Sequence, residues 1–314
     1  MEKQAVLIMA YGSPESLDDI EPYLLDVRGG RATPAELVEE IKGRYAAIGG
    51  KSPLLTIARA QAQALEDVLN LSAQESTFKV FVGMRHWFPY IQEAVNDILQ
   101  EDFHQIPAIC MTPYFSKMST QAYFNQFDKA MRKFEEEGRI LPRVVKIASW
   151  NSHPLFIQAL AEKVESGIQH FPAVKENTGK VLFTAHSLPA AIIDQGDPYE
   201  QQLLETARLI TGRVNLPAER WGFCYQSAGT QNTRWLGPSI EETLERFAQE
   251  GIKNVLVAPI GFVSDHVEIL FDIDIEAKDL AQSAGIHLER TEALNTSSLF
   301  VEALAQIIKH GVHQ

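Results

Sequence analysis

The stretch VLIMAYGSP, residues 6–14, recurs in outline as VLFTAHSLP at residues 181–189. Both read Val-Leu-x-x-Ala, then a polar ring residue, two variable positions and a proline. Each opens as an apolar run typical of a buried strand and ends in a proline turn. This internal similarity predicts two α/β halves of similar design that begin near residues 1 and 175. Tyr11 and His186 would then lie at equivalent strand ends.

Apolar, β-branched runs alternate with helical patterns along the chain. Helical spacing is clearest in residues 53–70 and in residues 239–251, which end on Gly251. This alternation predicts parallel sheets covered by helices, and such sheets bind ligands at the carboxyl ends of their strands. The predicted strands are 4–10, 78–84, 105–113, 143–149, 179–186, 220–226, 253–261 and 286–290.

Composition excludes several classes of protein. The 314 residues are 45% hydrophobic and 22% charged, which fits two packed domains rather than a disordered chain. A net charge of −13 argues against a nucleic-acid binder, and no apolar run reaches the roughly 18 residues of a membrane span. The apolar N-terminus is interpreted as a buried strand rather than a signal peptide. Cys110 and Cys224 lie in apolar runs, so we expect buried thiols in a reducing cytoplasm.

A long insertion, roughly residues 15–75, follows the first predicted strand. It contains two or three predicted helices and two glycine turns, VRGGRATP and AIGGKSP. Two interpretations stay open for its basic residues: a solvated surface, or a clamp that binds the carboxylates of an anionic ligand. The residues concerned are Arg28, Arg31, Lys42, Arg44 and Lys51, with the hydroxyl of Ser52 beside them.

The segment SDHVEILFDIDIEAKD, residues 264–279, concentrates acids after a predicted strand end. Glu268, Asp272 and Glu276 are spaced i, i+4 and i+8. They fit either the solvated face of a surface helix or a row that handles a cation, and a wider π-type turn would bring them closer to one line. Asp265, Asp274 and Asp279 are interpreted as ordinary acids.

Histidine and carboxylate together suit a metal of intermediate hardness such as Fe²⁺. His186 ends one predicted strand, and His266 and Glu268 follow another. The sequence has no His-x₃-His or Cys-x₂-Cys motif, so a structural zinc site is not predicted. Phosphate-binding glycine loops are absent as well, so no nucleotide cofactor is predicted.

Five segments together resemble the ferrochelatase family in the same order and at similar spacing: MAYGSP, RYAAIGGKSPL, FTAHSLP, WLGPS and GFVSDHVEILFDIDIE. The resemblance covers nearly the whole chain. It implies two Rossmann-like α/β domains, each a parallel sheet flanked by helices, with a porphyrin cleft between them. The expected boundaries are 1–150, containing the insertion, and 151–296, carrying His186 and Glu268. A C-terminal helix at about 297–310 is expected to pack back on the first domain.

The resemblance also implies insertion of Fe²⁺ into a porphyrin with release of two protons. Tyr11 in MAYG is similar to the tyrosine that faces the metal centre in the coproporphyrin III branch, so coproheme is the expected product. A protoporphyrin IX ferrochelatase, or a chelatase for another tetrapyrrole, is the first alternative. A non-enzymatic coproheme carrier is the second.

Carried over by motif, His186 and Glu268 are the expected metal-facing residues. Asp272 and Glu276 match an outward acid row that passes metal or protons and could hold an accessory divalent cation. The expected porphyrin contacts are Tyr11, Arg28, Arg44, Tyr45, Ser52 and Tyr123. Two departures concern the propionate contacts: Gly29 stands where the branch often has a second basic residue, and Arg85 stands where lysine is common.

The expected partners follow from the same resemblance. Fe²⁺ is a substrate, and no tightly bound cofactor is expected. We expect a cytoplasmic monomer that binds a porphyrin, has no transmembrane segment and binds no nucleic acid. Transient contact with the next enzyme of heme synthesis is a further expectation.

Overall fold

The computed structural model describes residues 2–71, 76–176, 178–229 and 233–312. The chain divides into two compact units. The first comprises Met1–Pro113, Lys117–Trp150 and Asn295–Gln314, and the second comprises Tyr114–Ser116 and Asn151–Leu294. Each unit is built on one parallel sheet of four strands with helices against it.

The first unit alternates strands with helices after its long insertion. Its strands are β1 (Glu2–Ala10), β2 (Ser76–Met84), β3 (Gln105–Cys110) and β4 (Arg143–Ile147). A 3₁₀ turn at Leu17–Asp19 precedes the helices, which are α1 (Ile20–Val27), α2 (Ala35–Ala47), α3 (Leu54–Leu71), α4 (Ile91–Ile98) and α5 (Thr120–Glu136).

The second unit repeats the alternation. Its strands are β5 (Lys180–His186), β6 (Trp221–Gln226), β7 (Asn254–Ala258) and β8 (His287–Arg290). The helices before β7 are α6 (Pro154–His170), α7 (Pro172–Lys175), α8 (Ala191–Asp194), α9 (Tyr199–Arg213) and α10 (Ile240–Gln249), with a 3₁₀ turn at Ala218–Arg220. After β7 come α11 (Val267–Leu270), a π-helix (Asp272–Ala277) and α12 (Lys278–Ser283).

The chain ends in α13 (Ser298–Val312), which belongs to the first unit. It packs on α3, β3 and β4, and Phe300 stacks on Trp150 with ring centroids 6.0 Å apart. The amide of Gln61 on α3 donates to the carbonyl oxygen of Asn295 at 2.8 Å, just before this helix.

The two sheets share one topology. Their strand orders are β2-β1-β3-β4 and β6-β5-β7-β8, so β1 and β5 hold the same second place. Both strands are buried over most of their length, as expected for parallel strands covered on two faces. The similarity between the two opening stretches therefore corresponds to equivalent positions of β1 and β5 in the two sheets, as predicted. Tyr11 and His186 lie at the matching ends of these strands.

All eight predicted strands are present, but three predictions run past the carboxyl end of the strand. The strand predicted at 143–149 ends at Ile147. The strand predicted at 105–113 ends at Cys110, before Pro113, and the one predicted at 253–261 ends at Ala258, before Pro259. Pro259 has no N–H to donate to a neighbouring strand, which accounts for the end of β7 at Ala258 within a longer apolar run.

The predicted helices at 53–70 and 239–251 are confirmed as α3 and α10. Ser239 caps α10 by accepting from the N–H of Glu242 at 3.2 Å, and Gly251 follows the helix with φ +77°. Cys110 and Cys224 are free and buried, as predicted. Within the described residues, no helix is long and apolar enough to cross a bilayer.

Gly261 generates a stability prediction. Its N–H donates to the carbonyl oxygen of Thr184 at 3.1 Å, and a Cβ there would lie 2.7 Å from both Cα and Cβ of Ala185. Because backbone must shift to admit that atom, we expect Gly261→Ala to lower the free energy of unfolding by about 1–3 kcal/mol. Urea unfolding monitored by circular dichroism measures this.

Gly212→Ala is the matched control, since Gly212 lies in α9 of the same unit and a Cβ added there would meet nothing within 4 Å. It should leave stability unchanged or raise it by up to about 1 kcal/mol, because alanine favours helix. Equal unfolding midpoints for the two variants would contradict the close approach at Gly261.

Candidate active site

His186 is the last residue of β5, and its imidazole faces the carboxylate of Glu268. The Nδ1–H of His186 donates to the carbonyl oxygen of Ser187. That bond places the lone pair on Nε2, which lies 3.6 Å from Oε1 of Glu268. Both side chains are about one-third exposed, at 32% and 33%. Two electron-pair donors thus face each other at the surface of the unit, which suits a shared proton or a metal cation.

Buried hydrogen bonds fix the backbone on both sides of His186. The hydroxyl of buried Tyr199 donates to the carbonyl oxygen of His186 at 2.9 Å. Ser187 donates its N–H to the carbonyl oxygen of Gln226 and its hydroxyl to that of Leu236, each at 2.8 Å. The imidazole is therefore presented from a rigid strand end.

Glu268 is held through its own backbone. Its N–H donates to Nδ1 of His266 at 3.2 Å, and its carbonyl oxygen accepts from the amide of Gln226 at 2.8 Å. The amide oxygen of Gln226 in turn accepts from the hydroxyl of Thr184 on β5 at 2.7 Å. Burial lowers the pKa of His266, in keeping with a neutral ring that accepts at Nδ1.

A π-helix spans Asp272–Ala277, which is the wider turn that would bring the acids closer to one line. The N–H of Glu276 donates to the carbonyl oxygen of Phe271 at 2.9 Å, which is the i+5 bond of that geometry. Asp272 and Glu276 lie within the π-helix, whereas Glu268 lies in α11 before it. Asp272 accepts a hydrogen bond from Ser227, whose φ of +57° is uncommon for a serine.

Asp265 and Asp274, interpreted from the sequence as ordinary acids, both pair with one arginine. The guanidinium of Arg290 on β8 binds Asp274 through Nε at 2.7 Å and a terminal nitrogen at 2.9 Å. Its other terminal nitrogen lies 3.2 Å from Oδ1 of Asp265. Burial alone would lower the pKa of Arg290, but the two carboxylates raise it overall. One cation therefore anchors the segment on both sides of Glu268.

His186 and Glu268 form a sparse site. Among the residues that the structure describes, no three or more His, Cys, Asp or Glu side chains converge as a metal-binding group.

In the first unit, Tyr11 follows β1 and is 40% exposed. Its ring packs on His86, with centroids 4.7 Å apart, and Nδ1 of His86 lies 2.8 Å from Oδ2 of Asp26. Sequence reasoning missed His86 and Asp26. The available signal was the position of His86 two residues after the predicted strand 78–84, similar to that of Tyr11 just after the first predicted strand.

The predicted porphyrin contacts fall into different environments. Tyr45, Ser52 and Tyr123 are buried, and the hydroxyl of Ser52 accepts from the N–H of Leu54 at the start of α3. Arg44 pairs with Glu40 on the same helix at 3.0 Å. These contacts give Ser52 and Arg44 structural roles within the insertion.

Arg28 and Arg85 differ from Arg44. In each, Nε is buried and has no hydrogen-bond partner within the described structure. The guanidinium of Arg85 also lies over the ring of Tyr123, 5.5 Å from its centroid. Unpaired buried guanidinium nitrogens are costly, so these two arginines are the ones best suited to bind an anion.

The sequence model of the ferrochelatase family matches residues 3–312. The ferrochelatase of Deinococcus radiodurans is 43% identical over 304 residues, covering 97% of this chain and 94% of that protein. The coproporphyrin III ferrochelatase of Geobacillus kaustophilus is 36% identical over 304 residues, covering 96% of this chain and 94% of that protein.

Solved structures support the fold. The sirohydrochlorin chelatase SirB of Bacillus subtilis subspecies spizizenii, in complex with cobalt, gives a TM-score of 0.56 at 10% identity, covering 100% of this chain and 96% of that one. DR2241 from Deinococcus radiodurans, described as having structural similarity to chelatases, gives a TM-score of 0.54 at 10% identity, covering 99% of this chain and 56% of that one.

The Arg290 anchor generates a prediction. Arg290→Ala leaves Asp265 and Asp274 without their shared cation, and the Arg290 side chain is only 15% exposed. We expect the free energy of unfolding to fall by about 3 kcal/mol, because breaking a buried ion pair leaves charge uncompensated. Urea unfolding measures the change.

Arg246→Ala is the matched control in the same unit, because Arg246 pairs with Glu250 at 3.8 Å and both side chains are exposed, at 53% and 45%. We expect a change within about 0.5 kcal/mol for this exposed pair. An Arg290→Ala protein as stable as the control would contradict the anchor.

Proposed function

Because this chain belongs to the ferrochelatase family, we propose that it inserts Fe²⁺ into coproporphyrin III to give coproheme. The observation that carries the proposal is the pair formed by His186 and Glu268, with Nε2 and Oε1 3.6 Å apart at a strand end. The relative from Geobacillus kaustophilus carries the name coproporphyrin III ferrochelatase, whereas the relative from Deinococcus radiodurans is named ferrochelatase without a stated porphyrin.

The reaction needs two proton acceptors, because two pyrrole N–H groups lose their protons when Fe²⁺ binds the four pyrrole nitrogens. In the proposal, Nε2 of His186 accepts one pyrrole proton, since Nδ1 already donates to the carbonyl oxygen of Ser187. Glu268 accepts the second proton. The fixed tautomer of His186 keeps a lone pair available on the side that Glu268 faces.

The acid row extends this role. Asp272 and Glu276 lie on the π-helix after Glu268, and we propose that they pass hydrated Fe²⁺ or protons along the row or hold an accessory divalent cation. Arg290 compensates Asp265 and Asp274. It thereby reduces the repulsion that would otherwise oppose so many acids in one segment.

Substrate charge is the main electrostatic problem. Coproporphyrin III has four propionates, and the protein has a net charge of −13. Arg28 and Arg85 support binding of such an anion through their unpaired buried Nε atoms. Each charge-assisted bond to a propionate would contribute about 1.5–3 kcal/mol. Tyr11, which is 40% exposed and holds the strand-end position equivalent to that of His186, is proposed to face the metal centre.

The first alternative differs from the proposal in its porphyrin, and the second differs in having no catalytic step. A protoporphyrin IX ferrochelatase would use the same histidine–carboxylate pair on a porphyrin with fewer propionates. A coproheme carrier would bind the metallated product without any need for a proton acceptor at His186. The paired donors of His186 and Glu268 favour an enzyme. The proposal includes a cytoplasmic monomer with transient contact to the next enzyme of heme synthesis.

The choice of porphyrin is tested by turnover under anaerobic conditions. Purified protein is mixed with Fe²⁺ and either coproporphyrin III or protoporphyrin IX, and metallation is followed by the absorbance change from free base to metalloporphyrin. We expect kcat/KM to be higher for coproporphyrin III. A preference for protoporphyrin IX would replace the proposal with its first alternative, and binding of coproheme without turnover would replace it with the carrier.

The proton acceptor is tested by His186→Ala. We expect the metallation rate to fall at least about 100-fold, the usual contribution of a positioned acid–base group. His287→Ala is the control, because the side chain of His287 is 60% exposed in the same unit. Wild-type turnover by His186→Ala would remove this residue from the mechanism.

A further inference from the structure

Tyr11 and His86 are neighbours because they follow β1 and β2, which are adjacent strands of one sheet. β1 and β2 pair in parallel up to Ala10 and Met84. Beyond the strands, the N–H of Arg85 donates to the carbonyl oxygen of Ala10 at 2.9 Å, and that of His86 donates to the carbonyl oxygen of Tyr11 at 2.8 Å. The two residues therefore lie side by side on adjacent segments of the backbone, which brings their rings together. The ring centroids are 4.7 Å apart and the interplanar angle is 56°.

The backbone beneath the two rings has little freedom. Gly12 has a φ of +94°, and a Cβ there would lie 2.8 Å from the backbone nitrogen of Trp87. The hydroxyl of Tyr23 on α1 donates to the carbonyl oxygen of Gly12 at 3.4 Å, and its ring meets that of Trp87 edge-on at 6.1 Å. A glycine is required where two segments of the backbone approach so closely.

His86 is almost enclosed, with a side chain that is 9% exposed, while its partner Asp26 on α1 is 38% exposed. Burial lowers the pKa of His86 in spite of the Asp26 carboxylate, and the charge of Arg85 acts in the same direction as burial. The ring is therefore neutral at neutral pH. A carboxylate only accepts hydrogen bonds, so the single ring hydrogen lies on Nδ1, 2.8 Å from Oδ2 of Asp26.

We propose that Asp26 is a positioning residue for Tyr11 that acts through His86. Asp26 holds the imidazole of His86 in one tautomer and one ring orientation. That imidazole packs against the exposed ring of Tyr11 and limits its movement. The functional consequence rests on the proposed function, in which Tyr11 faces the metal centre. Without Asp26, the buried Nδ1–H loses its acceptor, so the ring changes tautomer or turns, and Tyr11 loses a fixed support.

The first test needs no turnover. Nitrogen-15 chemical shifts of the His86 ring, measured in protein labelled at histidine and assigned with His86→Gln, report the tautomer directly. We expect the wild-type ring to carry its hydrogen on Nδ1. Asp26→Asn should keep that tautomer, because an amide oxygen still accepts, whereas Asp26→Ala should lose it. A wild-type ring protonated on Nε2 overturns the proposal even if the alanine variant does not fold.

The second test uses anaerobic metallation of coproporphyrin III. We expect Asp26→Ala to lower kcat about 10-fold with KM for the porphyrin little changed, as for partners that orient a histidine. Asp26→Asn should recover most of kcat. Glu21→Ala removes an exposed acid from the same helix and is the control expected to match wild type.

A double-mutant cycle separates positioning from general damage. In a Tyr11→Phe background, Asp26→Ala should have little further effect on kcat, because both changes act on the same phenol. An equal loss in both backgrounds, or wild-type kcat for Asp26→Ala, overturns the proposal. Absence of turnover by the wild-type protein would instead contradict the proposed function, and the tautomer measurement would still decide the role of Asp26.

Discussion

One guanidinium, that of Arg290, holds the acidic segment on which the candidate site depends. Its contacts of 2.7 and 2.9 Å to Asp274 and 3.2 Å to Asp265 fix the segment on both sides of Glu268. Six acids within residues 264–279 would repel one another in an unconstrained helix. Arg290 on β8 compensates the charge of two of them, Asp265 and Asp274. Glu268, Asp272 and Glu276 can therefore lie in one segment, whose π-helix is held at its middle through Asp274.

The same segment is tied to the strand that carries His186. Gln226 links the hydroxyl of Thr184 on β5 to the carbonyl oxygen of Glu268 through bonds of 2.7 and 2.8 Å. The imidazole and the carboxylate therefore keep their separation through connected rigid elements rather than through a direct strong bond. This arrangement leaves both groups able to exchange a proton or contact a cation, which is the role proposed for them.

Local patterns in the sequence predicted the parts of the structure that depend on local interactions. The similarity of the two opening stretches predicted matching positions for β1 and β5. The spacing of Glu268, Asp272 and Glu276 was compatible with the π-type turn, but it did not distinguish that turn from an ordinary surface helix. The pairing of Arg44 with Glu40 follows from i,i+4 spacing and was available from the sequence as well.

Contacts between distant residues were not predictable in this way. Asp274 meets Arg290 16 residues later, and Asp26 meets His86 60 residues later. Which acid of a cluster faces which strand depends on how helices pack on a sheet, and a single sequence does not specify that packing. The hydrogen bond from the N–H of Leu54 to the hydroxyl of Ser52 at the start of α3 was likewise not predicted.

A crystal structure of the protein with metal-free coproporphyrin III bound tests the central claim most directly. The account predicts that Nε2 of His186 lies about 3–3.5 Å from a pyrrole nitrogen, the range from which a proton can be transferred. A porphyrin bound with His186 in contact with no pyrrole nitrogen would contradict it.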